Sequence, residues 1–253
     1  MFRLCLRMHV KVHVEIAKAL FKKLCLPKEY ENVFVKGITI PDEWRLKNPK
    51  RKHHYISSSV FEYIMQARFY YIRGDIPSCL FNLGIALHFV QDAHIPSPRT
   101  KFRRKIHAAL ERKIERLSIP QEEIATSFNL AHSSPEFVKE IISKIKWIYE
   151  PELALLKAVK ASAAITAAVF GPKDPPKNLQ TKYVIAKRNH RKYVVAGWAT
   201  FLIGSILSLF LDPFIVPLMV FVFGIIGLVI VSRDKQFYEL KEKAVWYGIE
   251  QKY

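Results

Sequence analysis

The sequence predicts an all-α protein, a multi-helical globular domain followed by a two-helix transmembrane hairpin. Three observations carry this expectation. No stretch of useful length alternates apolar and polar residues with the period of a strand, whereas apolar residues recur at helical spacing between prolines and glycines. From Val194 to Val231 runs a 38-residue apolar segment whose only charge is Asp212. Asp212 stands beside Pro213 at its midpoint, where a turn is expected because proline disfavours helix at the residue before it.

The elements follow in order. Residues 11–26 fit an amphipathic helix with Val12, Ile16, Leu20 and Leu24 on one face, closed by Pro27. Residues 27–56 read as irregular, because Pro41 and Pro49 interrupt a polar, basic stretch. A helix is expected over 57–73, opened by Ser57 to Ser59 and closed at Gly74. The next, over 76–93, is apolar and tolerates Pro77 near its start, where the missing N–H costs little. Ile95 to Pro98 breaks the chain, and helix resumes from Thr100 to about Leu117. Two further helices are expected at 121–131 and 134–149, then one from Pro151 to Phe170, stopped by Gly171-Pro172. The domain boundaries read as 1–171 for the globular domain, 172–193 for a basic linker, 194–231 for the hairpin and 232–253 for a C-terminal surface helix.

Each half of the hairpin holds 18 residues. As helix that is about 27 Å, close to the hydrocarbon thickness of a bilayer. Lys182, Lys187, Arg188, Arg191 and Lys192 precede it, Arg233 and Lys235 follow it, and the turn carries no Lys or Arg. The positive-inside rule then places both ends, and the globular domain with them, on the cytoplasmic side of an integral membrane protein. Cys5, Cys25 and Cys79 are odd in number and widely spaced, which argues against a disulfide framework. The N-terminal residues show no continuous apolar core or cleavage site of a signal peptide. A net charge of +18 favours anionic partners: phospholipid headgroups, nucleic acid or phosphorylated small molecules. No Walker loop, GxSxG elbow, dinucleotide fingerprint or adjacent His-Asp pair occurs, which removes several enzyme classes.

Chemistry concentrates in the first 107 residues, which hold seven of the nine histidines. His88 and Asp92 are four apart on an apolar helix, and His107 and Glu111 are four apart on the next. That spacing puts an imidazole and a carboxylate on one face, one turn apart, where both can ligate one Zn²⁺. Such pairs also arise as ordinary surface ion pairs. Asp92, however, lies among apolar neighbours, where an uncompensated carboxylate is costly and a metal would offset the cost. Two pairs on consecutive helices suggest two metals. His13 on the first helix, Asp42 after Pro41, and the double histidine His53-His54 are further candidates.

In this order the segments HVEIAKAL, PDEW, KHHY, LHFVQDAHIP and HAALE resemble the zinc-dependent phospholipase C and P1-type nuclease family, all-helical enzymes that cleave phosphate esters with clustered zinc. The resemblance implies that His53, His88 and Asp92 hold one zinc and that His107 and Glu111 hold a second. It implies that His13, with Asp92 bridging, helps hold a third, and that Asp42 acts as general base or orients the attacking water. His54 is the alternative to His53. Two departures bear on the metal count. Pro98 stands where the family usually has a histidine ten residues after His88, leaving His94 or water to fill that place. The family's N-terminal Trp, a ligand to the third zinc, has no counterpart ahead of His13, and His9 is the nearest substitute. Two zinc ions are therefore expected, with the third site incomplete. Arg99, Arg103 and Arg104 are the expected substrate contacts. Three functions remain open at this stage: a phosphoesterase acting on an anionic phospholipid or related phosphodiester at the cytoplasmic membrane face, a P1-type nuclease acting on single-stranded nucleic acid, and a non-catalytic membrane-tethered module with a degenerate metal site.

Overall fold

The structure is a computed structural model that describes residues 2–47, 57–96, 100–208, 216–232 and 234–250. Among the described residues there are eleven α-helices and no strand. The chain divides into two compact units, Met1–Lys173 and Asp174–Lys252.

The first unit contains α1 (Phe2–Leu24), α2 (Glu31–Lys47), α3 (Ser57–Ile72), α4 (Ile76–Asp92), α5 (Lys101–Ile114), α6 (Gln121–Leu130), α7 (Pro135–Ser143) and α8 (Pro151–Phe170). A short 3-10 turn at Lys28–Tyr30 joins α1 to α2. At the centre lies α4, packed against α2, α3 and α8 and buried on nearly every side. Its start is fixed locally: the Asp75 side chain accepts from the Ser78 N–H at 3.1 Å, and Pro77 occupies the first turn.

Most of 27–56, expected to be irregular, is in fact the helix α2, and Asp42 lies within that helix rather than in a loop. Pro41 has no N–H to give the Gly37 carbonyl, a loss of about 3 kcal/mol in a helix interior. Burial of Phe34 and Ile38 against α4 outweighs it, since both are fully buried and each contributes roughly 1.5–3 kcal/mol. Glycine makes that packing possible. A Cβ on Gly84 of α4 would lie 2.7 Å from the Ile38 nitrogen and 2.8 Å from the Phe34 carbonyl oxygen of α2, and one on Gly37 would collide with the Phe81 carbonyl. Only two facing glycines let these backbones approach so closely. Two further boundaries differ from expectation: α1 begins at Phe2, and α7 ends at Ser143 rather than near 149.

The helix α8 is long and apolar enough to cross a membrane, but most of it is buried inside the first unit, where its many alanines face the core. Its C-terminus is closed by Arg68 of α3. This fully buried guanidinium donates to the carbonyls of Val169 (2.7 Å), Gly171 (2.9 Å) and Pro172 (2.5 Å). The arrangement satisfies carbonyls that a helix end leaves open and sets a cation at the negative end of the helix dipole.

In the second unit are α9 (Leu179–Ser208), α10 (Val216–Ser232) and α11 (Lys235–Trp246). The expected basic linker is only partly a linker, because α9 already begins at Leu179. Asn178 adopts the left-handed conformation (φ 67°) just before it, and the Lys- and Arg-rich stretch that follows is good helix-forming sequence. The midpoint Asp212-Pro213 lies outside the described residues. On either side of it α9 and α10 pack together with glycines at the crossing: a Cβ on Gly227 would lie 2.8 Å from the Gly197 carbonyl oxygen. Both helices expose large apolar side chains, among them Val195, Trp198, Leu202, Leu218, Phe221 and Leu228. The helix α11 packs on α9 through Phe237 and Ala244, and Trp246 is fully buried.

Replacing Arg68 by Met removes the donor from three carbonyls at the end of α8. The expected loss is about 2–4 kcal/mol in the stability of the first unit, read as a lower thermal midpoint of the detergent-purified chain by circular dichroism. An unchanged midpoint contradicts this role for Arg68.

Candidate metal centre

Four helices converge on one buried cluster. His13 comes from α1, Asp42 from α2, His88 and Asp92 from α4, and His107 and Glu111 from α5. The Asp92 carboxylate lies between two imidazoles. One oxygen, Oδ1, is 3.2 Å from His13 Nε2, and the other, Oδ2, is 3.4 Å from His88 Nε2. The two rings lie with centroids 4.5 Å apart, tilted by 40°. His107 Nε2 is in close contact with Glu111 Oε1 one turn along α5.

In each case the far ring nitrogen is held by the fold. His88 Nδ1 is 2.9 Å from the Ile38 carbonyl oxygen, on the segment of α2 that the Gly37–Gly84 approach brings against α4. His107 Nδ1 is 2.8 Å from the Pro96 carbonyl oxygen. His13 Nδ1 is 2.6 Å from Gln91 Oε1, and the Gln91 amide in turn donates to Ser162 Oγ of α8 at 3.2 Å. A carbonyl oxygen can only accept, so each Nδ1 carries the hydrogen and each Nε2 is turned into the cluster. This is how proteins orient histidines that ligate metals. His94 follows the same pattern: its Nδ1 donates to the Val90 carbonyl at 2.8 Å, and its ring lines a cavity of about 40 Å³ together with His13, Asp92 and Glu111. That space suits water rather than a headgroup.

The charges follow from this packing. Burial alone disfavours the Asp92 carboxylate, but the charge of His88 and the hydrogen bonds from His13 and His88 reverse the effect and hold its pKa well below the usual carboxylate range. Burial likewise works against a charged His13, yet Asp92, with help from Asp42, raises its pKa to about 9. For His107, burial is outweighed by the neighbouring Glu111, which raises the imidazole. Burial pushes the Glu111 carboxyl up as well, so this pair holds its proton tightly. For His94, burial lowers the pKa, outweighing the hydrogen bond to the Val90 carbonyl, and the charge of Lys157 lowers it further.

His13, His88 and Asp92 could together hold a metal ion, because one ligand atom from each lies within 4.8 Å of the others. Two imidazoles and a carboxylate are a borderline donor set suited to zinc, and three protein ligands leave a coordination position for water or substrate.

Residues 10–154 match the zinc-dependent phospholipase C family, more than half of the chain. The chain belongs to that family. No curated protein and no solved structure matches it.

The structure brings His13, His88 and Asp92 together, with the Asp92 carboxylate between two imidazoles that the resemblance assigned to zinc ions bridged by Asp92. His53, His54 and Arg99 lie outside the described residues, as does the side chain of His9. Of the expected substrate contacts, Arg103 stacks over the Trp147 ring at 4.9 Å and Arg104 is exposed. Sequence reading missed Gln91, Ser162 and the carbonyls of Ile38 and Pro96. The signals available for them were the glutamine immediately before Asp92 and the glycines Gly37 and Gly84, the second a turn before His88.

Because His13 is protonated to about pH 9 in the metal-free protein, zinc must displace a proton there. Its raised pKa favours the metal-free charged form below that pH and loses this advantage as pH rises through 9. Zinc affinity should therefore rise from pH 6 toward 9, with about one proton released per bound ion near pH 7. Calorimetry in two buffers of different ionisation enthalpy reads that proton directly, and pH-independent binding contradicts the charge assignment.

Proposed function

We propose that this chain is a membrane-tethered zinc phosphoesterase that hydrolyses a phospholipid or related phosphodiester by phospholipase C-type chemistry at the cytoplasmic membrane face. The observation that carries the proposal is the buried His13–Asp92–His88 cluster in a chain of the zinc-dependent phospholipase C family. His13, His88 and Asp92 would hold one zinc, and His107 and Glu111 would contribute to a second, with His94 beside them on the cavity wall. Bound zinc supplies a lowered pKa for water and positive charge for phosphoryl and leaving-group oxygens.

The remaining work falls to the chain itself. Asp42 is buried and close enough for its charge to raise the pKa of His13, so it stands at the edge of the cluster. There it accepts the proton of the attacking water or fixes its orientation. The Ile38, Pro96 and Gln91 oxygens hold the imidazoles in one tautomer, so no reorientation accompanies catalysis. Water attacks phosphorus, the bond from phosphorus to the alcohol oxygen breaks, and that oxygen takes up a proton.

The membrane placement rests on the large apolar side chains that α9 and α10 expose and on the Lys and Arg residues at the ends of the hairpin. The tether supports a lipid substrate because it keeps the enzyme at the interface.

Asp42→Asn tests the reaction. With zinc retained, turnover of phospholipid by the full chain in vesicles should fall by roughly 10²–10⁴-fold. Cleavage of single-stranded oligonucleotides in preference to lipid points to nuclease activity instead. Zinc bound with no turnover of either substrate contradicts the enzymatic reading.

A further inference from the structure

Between α9 and α10 runs an apolar groove of about 410 Å³. Its floor is the close contact of Gly197 and Gly227, and its walls are Val194, Trp198, Phe201 and Leu228. The packing of the hairpin does not use this space: a Cβ added at Gly224 would meet only the Phe201 ring, at 3.8 Å. Gly204 shows the contrast, because there the side chain of Phe223 already fills the position. With scarcely a polar atom in its wall, the groove suits a hydrocarbon chain and not ordered water.

One end of the groove is cationic. Positions 187, 191, 194, 198 and 201 fall on one face of α9, so Arg191 lies one turn, about 5 Å, before Val194. At that end α9 is tied to the start of α11 by His190 Nδ1 to Asp234 Oδ2 at 3.1 Å, with the His190 ring stacked on Phe237. Lys187 is held by Glu250 at 2.9 Å. Arg191 is exposed on the groove's face, and Arg188 and Lys192 are exposed elsewhere around the same turns of α9.

We propose that this groove binds one anionic glycerophospholipid, with an acyl chain between Trp198, Phe201 and Leu228 and the phosphate against Arg191. The inference rests on the membrane reading of the hairpin and is separate from the metal centre. Charge selects the occupant. A second hairpin packed in parallel here would bring its own Arg191 against this one, whereas an anionic lipid neutralises it. The shape agrees, with cations at one end and hydrocarbon walls beyond them.

The test uses the full chain in phosphatidylcholine nanodiscs carrying traces of phosphatidylglycerol or phosphatidylcholine with a diazirine in the acyl chain. Labelled residues are mapped by mass spectrometry after illumination. The phosphatidylglycerol probe should label residues 194–201 and 224–228 more strongly than the phosphatidylcholine probe does. Gly224→Leu should cut that labelling roughly tenfold while leaving labelling at Leu218 and Phe221 unchanged. Arg191→Glu, an exposed position, should abolish the preference for phosphatidylglycerol, also by roughly tenfold. Equal labelling by both probes, unaffected by either substitution, overturns the groove as a lipid site. Loss of labelling in favour of a cross-linked pair of chains assigns the groove to a second copy and overturns it too. Absence of label from the whole hairpin overturns the membrane reading itself, and the groove proposal with it.

Discussion

The Asp92 carboxylate is the constraint on which the first unit depends. It is buried among apolar helices, where an ionised group persists only with close compensation. The compensation comes from His13 and His88, one from α1 and one from α4, each aimed at a different carboxylate oxygen. Three ionisable groups within a few ångströms in a dry interior are a costly feature for a fold that needs only stability. A bound cation makes the same arrangement favourable, because it takes the place of the proton that His13 otherwise keeps.

Holding those groups in place accounts for much of the packing around them. The ring nitrogen of His88 reaches the Ile38 carbonyl only because Gly37 and Gly84 let α2 and α4 touch at the backbone. Any larger residue at either glycine would separate the helices by the width of a methyl group and move that carbonyl away. His13 is held less directly, through Gln91 and then Ser162 of α8, so the cluster is tied to the helix whose end Arg68 closes. Fold stability and site geometry therefore share the same contacts in the first unit.

Most of the fold could be read from the sequence. The helices at 57–73, 76–93 and 151–170 were legible because Ser57, Gly74, Pro77, Pro151 and Gly171 mark ends that backbone chemistry dictates. The helix α2 was not legible, since Pro41 and a polar surface look like a loop until the buried Phe34–Gly37–Ile38 face meets its partner. Propensity is local, and here tertiary packing overrode it. Within the site, His88, Asp92, His107 and Glu111 were legible because a four-residue spacing on a helix is a geometric statement. That His13 and His88 share Asp92 came only from the family resemblance, because it depends on the crossing of α1 and α4, which no local pattern encodes. The carbonyl partners were invisible for a simpler reason: every residue has a carbonyl, and only the fold selects which one is used.

The central claim is that the His13–Asp92–His88 cluster exists to hold zinc. The most direct measurement is the metal content of the folded, detergent-purified chain by elemental analysis, beside a His88→Ala/Asp92→Ala double variant of matched circular dichroism. The account expects about two zinc ions per chain in the parent protein, with the loss of at least one in the variant. A folded parent chain that binds no zinc, even after reconstitution, contradicts it.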